Sequence, residues 1–326
     1  MKCINKFRRV VCLVIAIPFV LSGCSSTQIL IPYELNSDNS GFNILTTTGT
    51  KGESFASDLC IVTQDVFENT DVDMEQATAA GLFDVNNSEV LYAKNIHTSL
   101  YPASLTKVLT AIIALKYANV DDVITATSNV EITESGAQLC GLKAGDTLTL
   151  NQALHALLIY SANDAAVAIA EHIAGSVENF AIMMNEEAVS IGATNSNFVN
   201  PHGLTDENHY TTAYDLYLIF NEALNYSLFQ EIISMTEYST IYHNSAGVDK
   251  ELSISNTNQF LTGAQTAPEQ VTVIGGKTGS TAAAKSCLIL LSKDASGNSY
   301  ISVILASDER AILYAEMIDL LEEIYN

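Results

Sequence analysis

Basic residues are scarce in this chain. It holds 14 lysines and arginines against 37 acids in 326 residues, a net charge of −23. A field of that sign repels phosphate backbones, which excludes a broad nucleic-acid surface. Cysteine is scarce too. Six are too few for a disulfide scaffold at this length, and no C-x-x-C pair is present to build a zinc ribbon. The apolar run near the start, residues 10–20, is eleven residues long, too short to cross a bilayer as a helix. There is no internal repeat. Core-forming material is plentiful: 48% of the chain is hydrophobic, which excludes a disordered or collagen-like protein. The length fits about two domains, or one large domain with extra segments.

Residues 1–23 carry four bases, Lys2, Lys6, Arg8 and Arg9, and no acid. Bases followed by a short apolar run form the pattern of a secretory signal. The run ends in Leu21-Ser22-Gly23-Cys24, which resembles the lipobox of bacterial lipoproteins. That resemblance implies cleavage before Cys24 and lipid on its sulfur. The protein would then sit on the outer face of the bacterial cytoplasmic membrane, facing the cell wall. Two or more acyl chains anchor a protein stably where one does not. Without the leader the chain carries 10 bases against 37 acids, a net of −27. The cysteines beyond residue 24 are Cys60, Cys140 and Cys287; three is odd, so at least one is free or pairs between molecules. Residues 25–56, rich in Ser, Thr, Asn and Gly, read as a surface tether. Residues 57–78 are ambiguous, although the apolar pieces around 61–66 suit packing on a domain. The expected organisation is a leader over 1–23, a lipidated cysteine and tether over 24–78, and a folded domain over 79–326.

Ordered structure is expected from Ala79. Residues 80–85 and 89–93 read as strands of a hairpin turning at Asn86-Asn87. After Pro102, Leu105, Val108, Leu109, Ile112 and Ile113 recur at helical spacing over 104–117. Helical patterns continue over 150–159, 164–173, 177–191 and 212–225, the last opening with Thr212 as an N-cap. Strands return over 272–274, 286–292 and 300–307, and a helix closes the chain over 311–325. Strands at both ends and helices between them predict an α+β fold. One antiparallel sheet is built from both chain ends and flanked by helices, with a mostly helical insertion.

Three short motifs carry chemistry. Ser104-Leu105-Thr106-Lys107 puts a hydroxyl and an amine one helical turn apart, on one face. A serine becomes a nucleophile only with a base in reach, and a lysine is a base only when burial or a second cation loosens its proton. The helix start adds free N–H groups that suit a developing oxyanion. Ser161-Ala162-Asn163 falls in a break between two apolar helices, where a hydroxyl and an amide need partners. Lys277-Thr278-Gly279 follows a strand and two glycines; a cation and a hydroxyl there suit a carboxylate, and glycine lets another backbone come close. Each motif alone also reads more plainly, as a helix start with a solvated lysine, a helix cap and a simple turn.

Together and in this order the motifs resemble those of the penicillin-binding serine DD-peptidases and related β-lactamases. The flanking text, Tyr101-Pro102-Ala103 before the first motif and Asn200-Pro201-His202-Gly203-Leu204 before the third, is similar to low-molecular-mass D-alanyl-D-alanine carboxypeptidases. The resemblance covers about residues 79–326. It implies a peptidoglycan pentapeptide stem ending in D-Ala-D-Ala as substrate, β-lactams as covalent inhibitors, and no cofactor. It implies Ser104 as nucleophile, Lys107 as its base and Ser161 as proton relay. It further implies Asn163, Lys277, Thr278, Gly279 and Ser280 on the substrate, with the N–H groups of Ser104 and Ser280 as the oxyanion hole. The family usually has Gly where this chain has Ala162. Its members often add a C-terminal anchor, which the lipid on Cys24 would replace here.

Two other functions compete. A class A-like β-lactamase needs a glutamate to activate the deacylating water, and residues 198–204 hold no Glu-x-x-Leu-Asn pattern. A non-catalytic wall-binding lipoprotein would not need the serines and lysines, all of which are present. His202 and His209, with Asp206 between them, suggest a metal pair. The flanking text lacks a zincin pattern, so a structural loop is the expected reading and no metal is expected.

Overall fold

In a computed structural model, residues 33–34, 43–44, 56, 58–66 and 72–325 are described. The leader, Cys24 and most of the tether lie outside them. The chain divides into Met1–Ser57 and Asp58–Asn326. In the first unit, β1 (Tyr33–Glu34) pairs antiparallel with β2 (Asn43–Ile44).

The second unit opens with a hairpin of β3 (Ala79–Asp84) and β4 (Glu89–Lys94). The Asp84 carboxylate accepts the N–H groups of Asn86 and Asn87, both at 3.0 Å, which closes the turn at the expected place. A 3-10 turn, Ala103–Thr106, leads into α1 (Lys107–Tyr117). Then come β5 (Val123–Thr125), β6 (Thr147–Thr149), α2 (Leu150–Leu158), α3 (Asn163–Ala174) and α4 (Val177–Ile191). After α5 (Ala213–Ala223) and α6 (Ser227–Ser234) the chain makes β7 (Glu237–His243) and β8 (Asp249–Ser255). It closes with β9 (Val271–Thr281), β10 (Lys285–Asp294), β11 (Ser299–Ser307) and α7 (Arg310–Glu322).

The five-stranded antiparallel sheet runs β4-β3-β11-β10-β9, so it draws on both ends of the unit. Period two splits β10 between two cores. Ile289 and Leu291 face the larger one; Leu288 and Leu290 face a smaller one with Leu313, Met317 and Leu320 of α7. Burial on both faces is why β10 reads as a continuous apolar run. On the larger side Phe83 of β3 stacks on Tyr217 of α5 at 4.0 Å. Helix α1 is buried from Lys107 through Ala114, as befits a helix apolar nearly all round.

The mostly helical insertion also carries a second, four-stranded sheet, β5-β6-β7-β8. Strands of three residues are too short to show a period, but β7 alternates visibly, with Glu237, Ser239, Ile241 and His243 exposed. Packing also begins before Ala79. Cys60 and Val62 are buried in the larger core. The Cys60 N–H donates to the Tyr217 hydroxyl at 2.9 Å, and the Tyr214 hydroxyl donates to the Cys60 carbonyl at 3.1 Å. Cys60, Cys140 and Cys287 are free thiols, and burial pushes all three up.

Candidate active site

Ser104 sits in the 3-10 turn that Pro102 sets up, with the Leu105 N–H bonded to the Pro102 carbonyl at 3.2 Å. Ala103 just before it takes φ +47°, a left-handed conformation that costs a residue with a Cβ about 1–3 kcal/mol. Lys107 opens α1 and is fully buried. Its Nζ lies 2.9 Å from Ser104 Oγ, 2.6 Å from Asn163 Oδ1 and 2.7 Å from the His202 carbonyl oxygen. Burial, and then the nearby Lys277 charge, push Lys107 well below its ordinary value, against an opposing pull from Asp164. A neutral amine has two N–H donors and one lone pair. The two carbonyl oxygens take the donors, and the lone pair is left for the Ser104 hydroxyl. This arrangement can withdraw a proton from Ser104.

The second motif lies in the break between α2 and α3, with Ser161 at φ +67°. Asn163 does not cap α3; the capping position is Ala162, which offers no side-chain bond. Instead the Asn163 side chain turns to Lys107, while the backbone N–H of Asn163 donates to the Gln138 carbonyl at 2.8 Å. The next residue, Asp164, accepts the N–H groups of Cys140, Gly141 and Leu142 at 3.0, 2.8 and 3.0 Å. It thereby clasps the Gln138 loop against the site.

The third motif lies within β9 itself, not after it. Lys277 is 1% exposed and donates to Ser161 Oγ at 2.8 Å and to the Thr278 carbonyl at 2.9 Å. Burial lowers it to about 7. The Thr278 and Thr257 hydroxyls are 2.6 Å apart. A Cβ on Gly279 would lie 3.1 Å from both Ser104 N and the Pro102 carbonyl oxygen, so β9 passes directly against the turn that holds Ser104. That close approach accounts for the glycine.

Ser104, Ser161, Asn163, Thr278, Gly279 and Ser280 line one cleft of about 230 Å³. Lys107 and Lys277 lie buried behind it. All eight site residues expected within the domain therefore meet, while Cys24 lies outside the described residues. Sequence reasoning missed Thr257, Gln138, Arg310 and Tyr314 on the same walls. For Arg310 a signal existed: it is the one arginine after residue 9 in a strongly acidic chain. Among the described residues no cluster of three or more His, Cys, Asp or Glu could hold a metal.

The family model described as D-alanyl-D-alanine carboxypeptidase matches residues 66–309. The D-alanyl-D-alanine carboxypeptidase DacF of Bacillus subtilis is 35% identical over 224 residues, covering 67% of this chain and 54% of that protein. DacA of Haemophilus influenzae is 30% identical over 237 residues, 69% of this chain and 55% of that one. The chain thus spans about half the length of these curated relatives. Among solved structures, the Streptomyces K15 DD-transpeptidase superposes with a TM-score of 0.71 at 25% identity, over 77% of this chain and 98% of that one. A D-alanyl-D-alanine carboxypeptidase from Mycobacterium tuberculosis H37Rv gives 0.69 at 25% identity, over 79% and 94%.

Proposed function

The chain belongs to the D-alanyl-D-alanine carboxypeptidase family, and on that footing we propose that it removes the terminal D-alanine from peptidoglycan stem peptides through an acyl-enzyme on Ser104. The observation that carries this reading is the Lys107 amine, 2.9 Å from Ser104 Oγ with both its other neighbours carbonyl oxygens.

In this reading Lys107 takes the Ser104 proton as Oγ attacks the penultimate D-alanine carbonyl. The N–H groups of Ser104 and Ser280 hold the oxyanion. The C–N bond then breaks, and Ser161, polarised by Lys277, relays to the departing amine the proton that Lys107 took, which leaves Lys107 neutral again. Water hydrolyses the ester and regenerates Ser104. Thr278, the charge of Lys277 and Arg310 at the cleft wall suit the terminal carboxylate. The net charge, −23, or −27 once residues 1–23 are removed, opposes an anionic substrate, but salt screens it beyond about 8 Å, so these cations act locally. β-Lactams would acylate the same serine. With no glutamate among the described residues that line the cleft to activate a deacylating water, they would inhibit rather than turn over.

The same proposal extends to location. Residues 1–23 would be removed, Cys24 lipidated and residues 25–56 would serve as tether, which leaves the catalytic unit exported and facing the wall. The bases, the short apolar run and Leu21-Ser22-Gly23-Cys24 support this. Among the described residues no helix is long and apolar enough to cross a membrane.

The test is release of free D-alanine from a pentapeptide ending in D-Ala-D-Ala. Wild-type protein should release it and Ser104→Ala should not. Equal release by both, or none by folded wild type, would reject the reading.

A further inference from the structure

The imidazole rings of His202 and His209 have no part in the chemistry above, yet both are firmly engaged. The Nδ1 atom of His202 accepts the Leu204 N–H at 3.1 Å, and that of His209 accepts the Val199 N–H at 3.2 Å. His209 is 1% exposed, with Phe198 edge-on at 5.4 Å. Its Nε2 lies 2.8 Å from Thr106 Oγ1. A ring nitrogen that faces a backbone N–H carries no proton of its own, so the His209 proton sits on Nε2. Nε2–H therefore donates to Thr106 Oγ1. The hydroxyl proton of Thr106 is left for the Ala103 carbonyl, 2.8 Å away. Burial lowers His209 to about 4, which keeps this neutral tautomer at neutral pH. Three bonds thus run in one direction, from Val199 through His209 and Thr106 to Ala103.

The end of that chain is the strained residue. Ala103 holds φ +47° and shares a peptide bond with Ser104, so the orientation of its carbonyl fixes where the Ser104 N–H points. The same carbonyl is pressed by residue 203: a Cβ on Gly203 would lie 1.8 Å from the Ala103 oxygen. Neither Thr106 nor His209 lines the cleft, and neither contacts the amines of Lys107 or Lys277.

We propose that Thr106 and His209 are positioning residues for acylation, holding the Ala103–Ser104 peptide in the left-handed turn that presents Ser104 to Lys107. This rests on the reading of Ser104 as nucleophile. An ordinary structural brace would lower stability and rate together. A positioning pair lowers the acylation rate in protein that is still folded.

The test is the rate of acylation of the full-length protein by a fluorescent penicillin, with thermal melting recorded for each variant. Thr106→Val keeps the side-chain shape but neither donates nor accepts; its acylation rate should fall roughly ten- to a hundredfold. Thr106→Ser restores the hydroxyl and should recover most of the rate. His209→Gln keeps a donor near the Nε2 position and should acylate faster than His209→Asn, which keeps only the acceptor for Val199. Unchanged acylation in Thr106→Val overturns the proposal, as does an equal loss in Thr106→Ser. If Thr106→Val does not fold, the His209 pair decides, and equal rates there overturn it. A wild type that never labels, or a Ser104→Ala that still does, strikes instead at the nucleophile.

Discussion

Two lysines lie buried in this site with no acid bonded to either, Lys107 fully and Lys277 at 1% exposure. Burying an amine without an opposite charge costs stability. Burial lowers Lys277 from 10.5 to about 7, so between those values the unfolded chain binds the extra proton. Stability then rises with pH across that window, and the cost of Lys277 is greatest below about pH 7. Lys277→Met should therefore melt roughly 3 °C or more above wild type at mildly acidic pH. The gain should shrink as pH approaches 10.5, and peptide turnover should be lost. A lower melting temperature in calorimetry at low pH contradicts the account. Lys107→Arg tests the other amine. A guanidinium keeps its proton, so penicillin acylation should drop by at least about a hundredfold in a stopped time course. Near-normal labelling would show that the amine is not the base.

The elements meet at contacts that leave little slack. Strand β9 passes so close to the 3-10 turn that a methyl on Gly279 would crowd Ser104 N and the Pro102 carbonyl, each at 3.1 Å. Gly279→Ala should slow acylation about tenfold with little change in melting, because only a local shift is needed. Asp164→Ala should act on stability. It leaves three N–H groups at 140–142 without their acceptor, which should cost about 1–3 kcal/mol in denaturant titration. Legibility in the sequence follows the same division. Helix α1 and strand β10 could be read because their apolar residues repeat within one element. The joining of Ser104, Ser161 and Lys277 could be read because hydroxyls and amines at those spacings carry a resemblance. The left-handed turns at Ala103 and Ser161 left no trace, since alanine and serine give no sign of positive φ. Neither did the Thr106–His209 bond, whose partners are 103 positions apart, nor the three-residue strands β5 and β6.

At the scale of the whole molecule, the site exists only when both ends of the second unit have joined the sheet. Residue 104 follows the first hairpin, and residues 277–280 lie on a strand formed near the other end. The segment before the hairpin belongs to that assembly, since Cys60 and Val62 fill the larger core and Tyr217 and Tyr214 bond to Cys60. A chain starting at Asp58 should melt close to full length, whereas one starting at Ala79 should lose about 3 kcal/mol or more. Equal melting of the two would show that residues 58–66 only rest on the surface. The central claim is that distant residues converge to make Ser104, and no other serine, acylatable. Intact-mass and peptide-mass spectrometry after brief exposure to penicillin tests it most directly. The account predicts a single adduct, on the peptide holding Ser104, and none in Ser104→Ala. An unmodified wild type, or an adduct that persists in the alanine variant, would contradict it.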